Sequence, residues 1–89
     1  MNKKLKEFHI PSTSIFNILT DHGAVFFDVN VYHGHGHLAY LEDDRIATPV
    51  GGYSFWQYRE GHVVDDSAGF IGSYVSNGET VYVFRRVTT

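Results

Sequence analysis

Between Val25 and Tyr32 the chain alternates: Val25, Phe27, Val29 and Val31 would lie on one side of an extended backbone, Phe26, Asp28, Asn30 and Tyr32 on the other. Successive side chains of a strand point to opposite faces. A two-residue period carried by β-branched and aromatic residues therefore predicts a strand with one apolar face. The next five residues are His33-Gly34-His35-Gly36-His37. Glycines weaken a strand interior and favour reversal, so the segment predicts a hairpin with a three-residue loop, Gly34-His35-Gly36, in which Gly36 supplies left-handed backbone. That register sets His33 opposite His37, Val31 opposite Ala39 and Val29 opposite Leu41 on an apolar face. Tyr32, Asn30 and Asp28 then face Leu38, Tyr40 and Glu42 on a mixed one, the sorting a half-buried antiparallel pair requires.

The expected turn carries a chemical consequence. Cross-strand partners lie roughly 5 Å apart at Cα, so His33 and His37 would both reach one ion. On a straight strand they would stand about 13 Å apart, four rises of ~3.3 Å. His33, His35 and His37 are therefore candidate ligands for a divalent transition metal (Zn, Ni, Fe or Cu), with His9, His22 or His62 as sources of a further ligand. Two facing imidazoles would also repel once both are protonated near about pH 6.

Other reversals follow. Asp43-Asp44 reads as a two-residue turn pairing Glu42 with Arg45 and Leu41 with Ile46. Thr48-Pro49-Val50-Gly51-Gly52 reads as a bend, since Pro49 lacks a ladder donor and paired glycines allow a sharp corner. Asn77-Gly78 is the strongest hairpin signal, because both residues tolerate positive φ. It pairs Tyr74 with Val81, Gly72 with Val83 and Ile71 with Phe84, and a glycine within that strand predicts close approach by another element.

Lys3, Lys4 and Lys6 around Leu5 read as a basic tail within residues 1–10. After Pro11, the run Ser12-Thr13-Ser14 offers helix caps, Ile15, Phe16, Ile18 and Leu19 fall at helical spacing, and Gly23 is a natural stop. These signals predict a helix of about two turns, lying on the sheet with Ile15, Ile18 and Leu19 inward.

The richest aromatic stretch is Tyr53-Ser54-Phe55-Trp56-Gln57-Tyr58-Arg59-Glu60, with Tyr53, Phe55 and Gln57 on one face and Ser54, Trp56 and Tyr58 on the other. Seven Phe, six Tyr and one Trp in 89 residues exceed what one small core conceals, so some rings are expected at the surface. Tyr, Trp and Arg dominate binding hot spots, which makes Tyr53, Phe55, Trp56, Tyr58 and Arg59 the candidate partner-binding residues.

A net charge of −3 disfavours a nucleic-acid binder that works through a basic face. The absence of cysteine and of an apolar leader points to a cytoplasmic protein without a membrane segment. Asp28 opposite Glu42 would resemble an acid–base pair, but Arg45 beside Glu42 would quench it. No nucleophile–base set emerges, so no catalytic residue is assigned and an enzyme is disfavoured.

The expected protein is one mainly β domain over residues 1–89, an antiparallel meander sheet or partly closed barrel of 5–7 strands with one short N-terminal helix. Its expected role is non-enzymatic: an inhibitor or regulator that contacts a protein partner, without a required cofactor. A metal-binding protein or metalloenzyme is the first alternative and a single-stranded nucleic-acid binder the second. Strand-edge pairing would also permit a homodimer.

Overall fold

The computed structural model describes residues 2–45 and 51–86. Seven strands occupy them: β1 (Lys3–His9), β2 (Ile15–Thr20), β3 (Val25–Tyr32), β4 (His35–Asp43), β5 (Gly51–Tyr58), β6 (Gly69–Ser76) and β7 (Glu79–Arg85). They form two antiparallel sheets, ordered β1-β4-β3 and β2-β5-β7-β6. The mainly β expectation and its strand number hold, but the order is not a simple meander. Only β3–β4 and β6–β7 join consecutive strands; the other pairings bring together distant parts of the chain. Among the described residues there is no helix, hence none long and apolar enough to cross a membrane.

The expected N-terminal helix is strand β2. Phe16, Ile18 and Thr20 are buried, whereas Ile15, Asn17 and Leu19 face out, Leu19 being 69% exposed. The burial period is two. A short segment with β-branched residues is a poor isolated helix, and each of its residues finds a partner in β5, from Ile15↔Trp56 to Thr20↔Gly51. Ser12, Thr13 and Ser14 form the bend before it, where the Thr13 hydroxyl donates to the Ile15 carbonyl at 2.7 Å.

The lysine-rich start is strand β1. Lys3 pairs with Asp43 and Lys4 with Glu42, so charges that suggest a tail are matched by the acidic end of β4. Those pairings replace the expected Glu42–Arg45 hairpin, and β4 continues through Asp43. Ile46 and the Thr48–Val50 part of the expected bend lie outside the described residues.

The β3–β4 hairpin exists, with a different turn. His33 and Gly34 have φ of 51° and 79°, the two left-handed residues of a type I′ turn, and Tyr32 pairs with His35. Two-residue I′ turns match the twist of the flanking strands, and histidine is among the non-glycine residues that enter this region. His37 consequently faces Asn30 on β3 and His9 on β1, not His33. Gly36 is left inside β4, where a Cβ would stand 2.9 Å from the Tyr74 ring; the glycine makes the seat for that ring.

The core lies between the sheets. Val29, Leu38 and Tyr40 enter it from the three-stranded sheet, and Phe16, Ile18, Phe55 and Val83 from the other. Phe26 links the halves, with ring centres 5.2 Å from Tyr40 and 4.8 Å from Phe55. Full burial of a large apolar side chain such as Phe55 or Leu38 is worth about 1.5–3 kcal/mol. The expected close approach at Gly72 is present: the residue pairs with Val83 and packs on Val29 of β3.

Candidate functional site

Strand β5 divides the aromatic candidates between two environments. Tyr53, Phe55 and Gln57 turn toward the core. Phe55 is fully buried, so its side chain belongs to the interior and offers no contact surface. The Tyr53 hydroxyl points at the carbonyl oxygens of Asp21 and His22, 3.0 and 2.8 Å away, and Arg85 lies over its ring at 4.7 Å. Gln57 is buried with its hydrogen-bonding groups engaged: Nε2 donates to the Pro11 and Thr13 carbonyls at 2.8 and 2.6 Å, and Oε1 accepts from the Tyr74 hydroxyl. Gln57 thereby ties the β1–β2 bend to β5 and β6. Burial raises the Tyr74 hydroxyl pKa above its ordinary value, with Arg59 pulling the other way.

Trp56 and Tyr58 turn outward. The register aligns Ile15 with Trp56, Trp56 with Phe84, and Phe84 with Phe70, so one apolar row crosses all four strands of the larger sheet. Beside it, Tyr58 pairs with Tyr82. Ring centres are 5.9 Å apart for Trp56–Tyr58, 5.5 Å for Tyr58–Phe84 and 5.3 Å for Phe70–Phe84, all edge-to-face. Phe70 is 60% and Ile15 52% exposed. Arg86 lies over the Trp56 ring at 5.6 Å. Arg59, at the end of β5, pairs with Glu79 at 2.9 Å through two exposed side chains.

Ile15, Phe70, Tyr82 and Phe84 of this surface are not among the residues that the sequence singles out. The signal for two of them was present: once Asn77-Gly78 fixes a hairpin, Tyr82 and Phe84 must share a face of β7. Ile15 was hidden by the helix expectation.

The three histidines of the turn are separated. His33 occupies the turn and packs on Tyr32 at 4.2 Å. His35 and His37 stand on the outward face of β4, where His9 joins them with ring centres 4.8 and 5.3 Å away. Among the described residues, no three His, Cys, Asp or Glu side chains form a group that could hold a metal ion as they stand.

Asp28 and Glu42 do not meet either. Asp28 pairs with Ala39 and accepts the Val29 amide at 2.9 Å. Glu42 is buried; the Thr20 hydroxyl donates to its Oε2 at 2.6 Å and Lys6 approaches Oε1 at 3.4 Å. One hydrogen bond and one cation give Glu42 the partners that a buried carboxyl group needs to be tolerated in a core.

Fold and surface together define a small two-sheet antiparallel β protein with an aromatic outer face on its larger sheet. No protein-family model, no curated protein and no solved structure matches the chain.

Proposed function

We propose that the chain is a non-enzymatic binding protein that docks a protein partner on the outer face of the four-stranded sheet, as an inhibitor or regulator does. The observation that carries this reading is the Ile15–Trp56–Phe84–Phe70 row, flanked by Tyr58 and Tyr82, in which Ile15, Phe70 and Tyr82 are exposed and Trp56, Tyr58 and Phe84 are half-buried between them. Contiguous apolar surface of this kind is uncommon on isolated domains and marks contact sites. Trp56 and Tyr58 at its middle, with Arg86 over the indole, are of the residue types that carry most interface energy. Within the candidate set, the anchor role falls to Trp56 and Tyr58. Arg59 lies at the rim, where an exposed ion pair contributes little. Phe55 and Tyr53 support the sheet from beneath.

The test is site-specific photo-crosslinking. A benzophenone side chain at Phe70 should capture one protein from the native lysate, identified by mass spectrometry, and the Trp56→Ala substitution should abolish capture. The same group at Leu5, exposed on the other sheet, is the control. Equal capture from both positions would count against the reading. Crosslinking of the chain to itself would instead assign the face to a second copy.

A further inference from the structure

The outward face of the three-stranded sheet gathers three imidazoles from two strands. His9 ends β1 directly opposite His37 of β4, and His35 precedes His37 by two residues, so the three share one side of the sheet. We propose that His9, His35 and His37 together bind one divalent transition-metal ion of the zinc class through their ring nitrogens, with His33 outside the set.

The two ring spacings that involve His9 fit that chemistry. A zinc–imidazole bond is 2.0–2.1 Å long, which puts a ring centre about 3.2 Å from the ion; two such rings at the tetrahedral angle lie about 5 Å apart. His9 stands at 4.8 and 5.3 Å from its two neighbours. Two elements of sheet geometry produce this. Residues two apart on a strand are about 7 Å apart, and a cross-strand partner is about 5 Å away, a triangle small enough for three imidazoles to meet above it. As they stand, the three side chains do not form a group that could hold a metal ion, so binding requires them to rotate. His9 and His35 are exposed and lie outside the core, whereas His37 is half-buried, stacked on His9 and edge-on to Tyr32 at 5.9 Å, and must turn out of that packing to ligate.

The surroundings supply groups of the right kind. Asn30 is paired with His37 and Tyr32 with His35 on β3, and Glu7 lies two residues before His9 on the same face. An amide, a phenol and a carboxylate beside the cluster are acceptors for the ring N–H that does not ligate, which is how bound histidines are held in one tautomer. A three-histidine zinc site keeps its fourth position for water or another ligand. His33 is held apart by its left-handed backbone and its packing on Tyr32.

This proposal is independent of the docking reading, and its test uses the metal alone. Zinc chloride is titrated into the tag-free full chain by calorimetry at neutral pH, and melting is followed with and without EDTA. The expected result is one ion per chain and a rise in Tm that EDTA reverses. Losing a neighbour of a ligand already weakens metal binding about 10- to 100-fold, so His9→Asn and His37→Asn should each cost more than about 100-fold. His33→Asn should bind as the wild type does. All three side chains are at least partly exposed, and the metal-free melting of each variant checks its fold. A wild-type chain that binds zinc no more tightly than His9→Asn overturns the proposal, as does a His33→Asn variant that loses as much as His9→Asn.

Discussion

Gly72 of β6 rests on Val29 of β3: a Cβ placed on Gly72 would stand 3.0 Å from Val29 Cβ and Cγ2 and 3.1 Å from its amide nitrogen. Each strand is irregular at this crossing, β3 between Phe26 and Asp28 and β6 between Phe70 and Gly72. At this crossing the Gly72 backbone therefore lies directly on Val29, with no room for a side chain on the glycine.

Gly72→Ala requires Val29, which is buried in the core, to give way by a few tenths of an ångström, and overpacking of this kind costs about 1–3 kcal/mol. A Cβ on Gly69 would come no closer than 4.0 Å to the Arg85 carbonyl oxygen, so Gly69→Ala should remain within about 0.5 kcal/mol of wild type. Urea unfolding compares them. Equal midpoints for the two variants would show that the contact is looser than described.

Thr20 and Glu42 form the buried polar link between the sheets, 2.6 Å apart. Thr20→Val keeps the shape and removes the donor, leaving a buried carboxyl oxygen short of a partner. Such a group costs about 1–3 kcal/mol. Thr20→Ser, which retains the hydroxyl, should recover part of that loss in thermal unfolding. If Thr20→Val melts with the wild type, the bond contributes nothing.

Alkaline pH should unfold the protein through its buried phenols. The Tyr40 pKa is raised above the usual 10.0, first by burial and then by the Glu42 carboxylate, with Lys6 opposing; Tyr74 is raised by burial. A raised folded-state pKa means that the neutral phenol is favoured in the fold. Its contribution is complete below the unfolded value of about 10 and is lost as pH rises through the folded value. Tm measured from mild to strongly alkaline pH should fall, and Tyr40→Phe should make the fall shallower. A slope identical in the variant and the wild type would exclude Tyr40 as a source.

How much of this was legible depended on how many structures each stretch of sequence permitted. Asn77-Gly78 permitted one, and its turn has φ of 52° and 80° as a type I′ turn requires. Gly72 opposite Val83 likewise announced a close neighbour. His33-Gly34-His35-Gly36-His37 offered two reversals, because either glycine could supply left-handed backbone; the tighter turn was adopted and moved every partner of β4. In Ile15–Leu19 the apolar positions fit both a helical and a strand period over too few residues to separate them, and pairing with β5 decided the outcome. His9 was the hardest to place. Its neighbour His37 lies on a strand remote in sequence, and nothing local to either residue marks the pairing.

The neighbours Phe55 and Trp56 separate stability from binding. Phe55→Ala empties a fully buried site and should cost about 3–5 kcal/mol in urea unfolding. Trp56→Ala removes an outward ring and should cost distinctly less. A larger loss for Trp56→Ala would reverse the assignment of the two faces.

The most direct measurement is the affinity of the partner captured at Phe70 for the folded Trp56→Ala variant relative to the wild-type chain, by calorimetry. An anchor residue is worth at least about 2 kcal/mol at an interface, which is ~30-fold in Kd, and a loss of that size or more is predicted. A Kd that changes by less than about twofold, within 0.5 kcal/mol, would contradict the assignment of this sheet face as the docking surface.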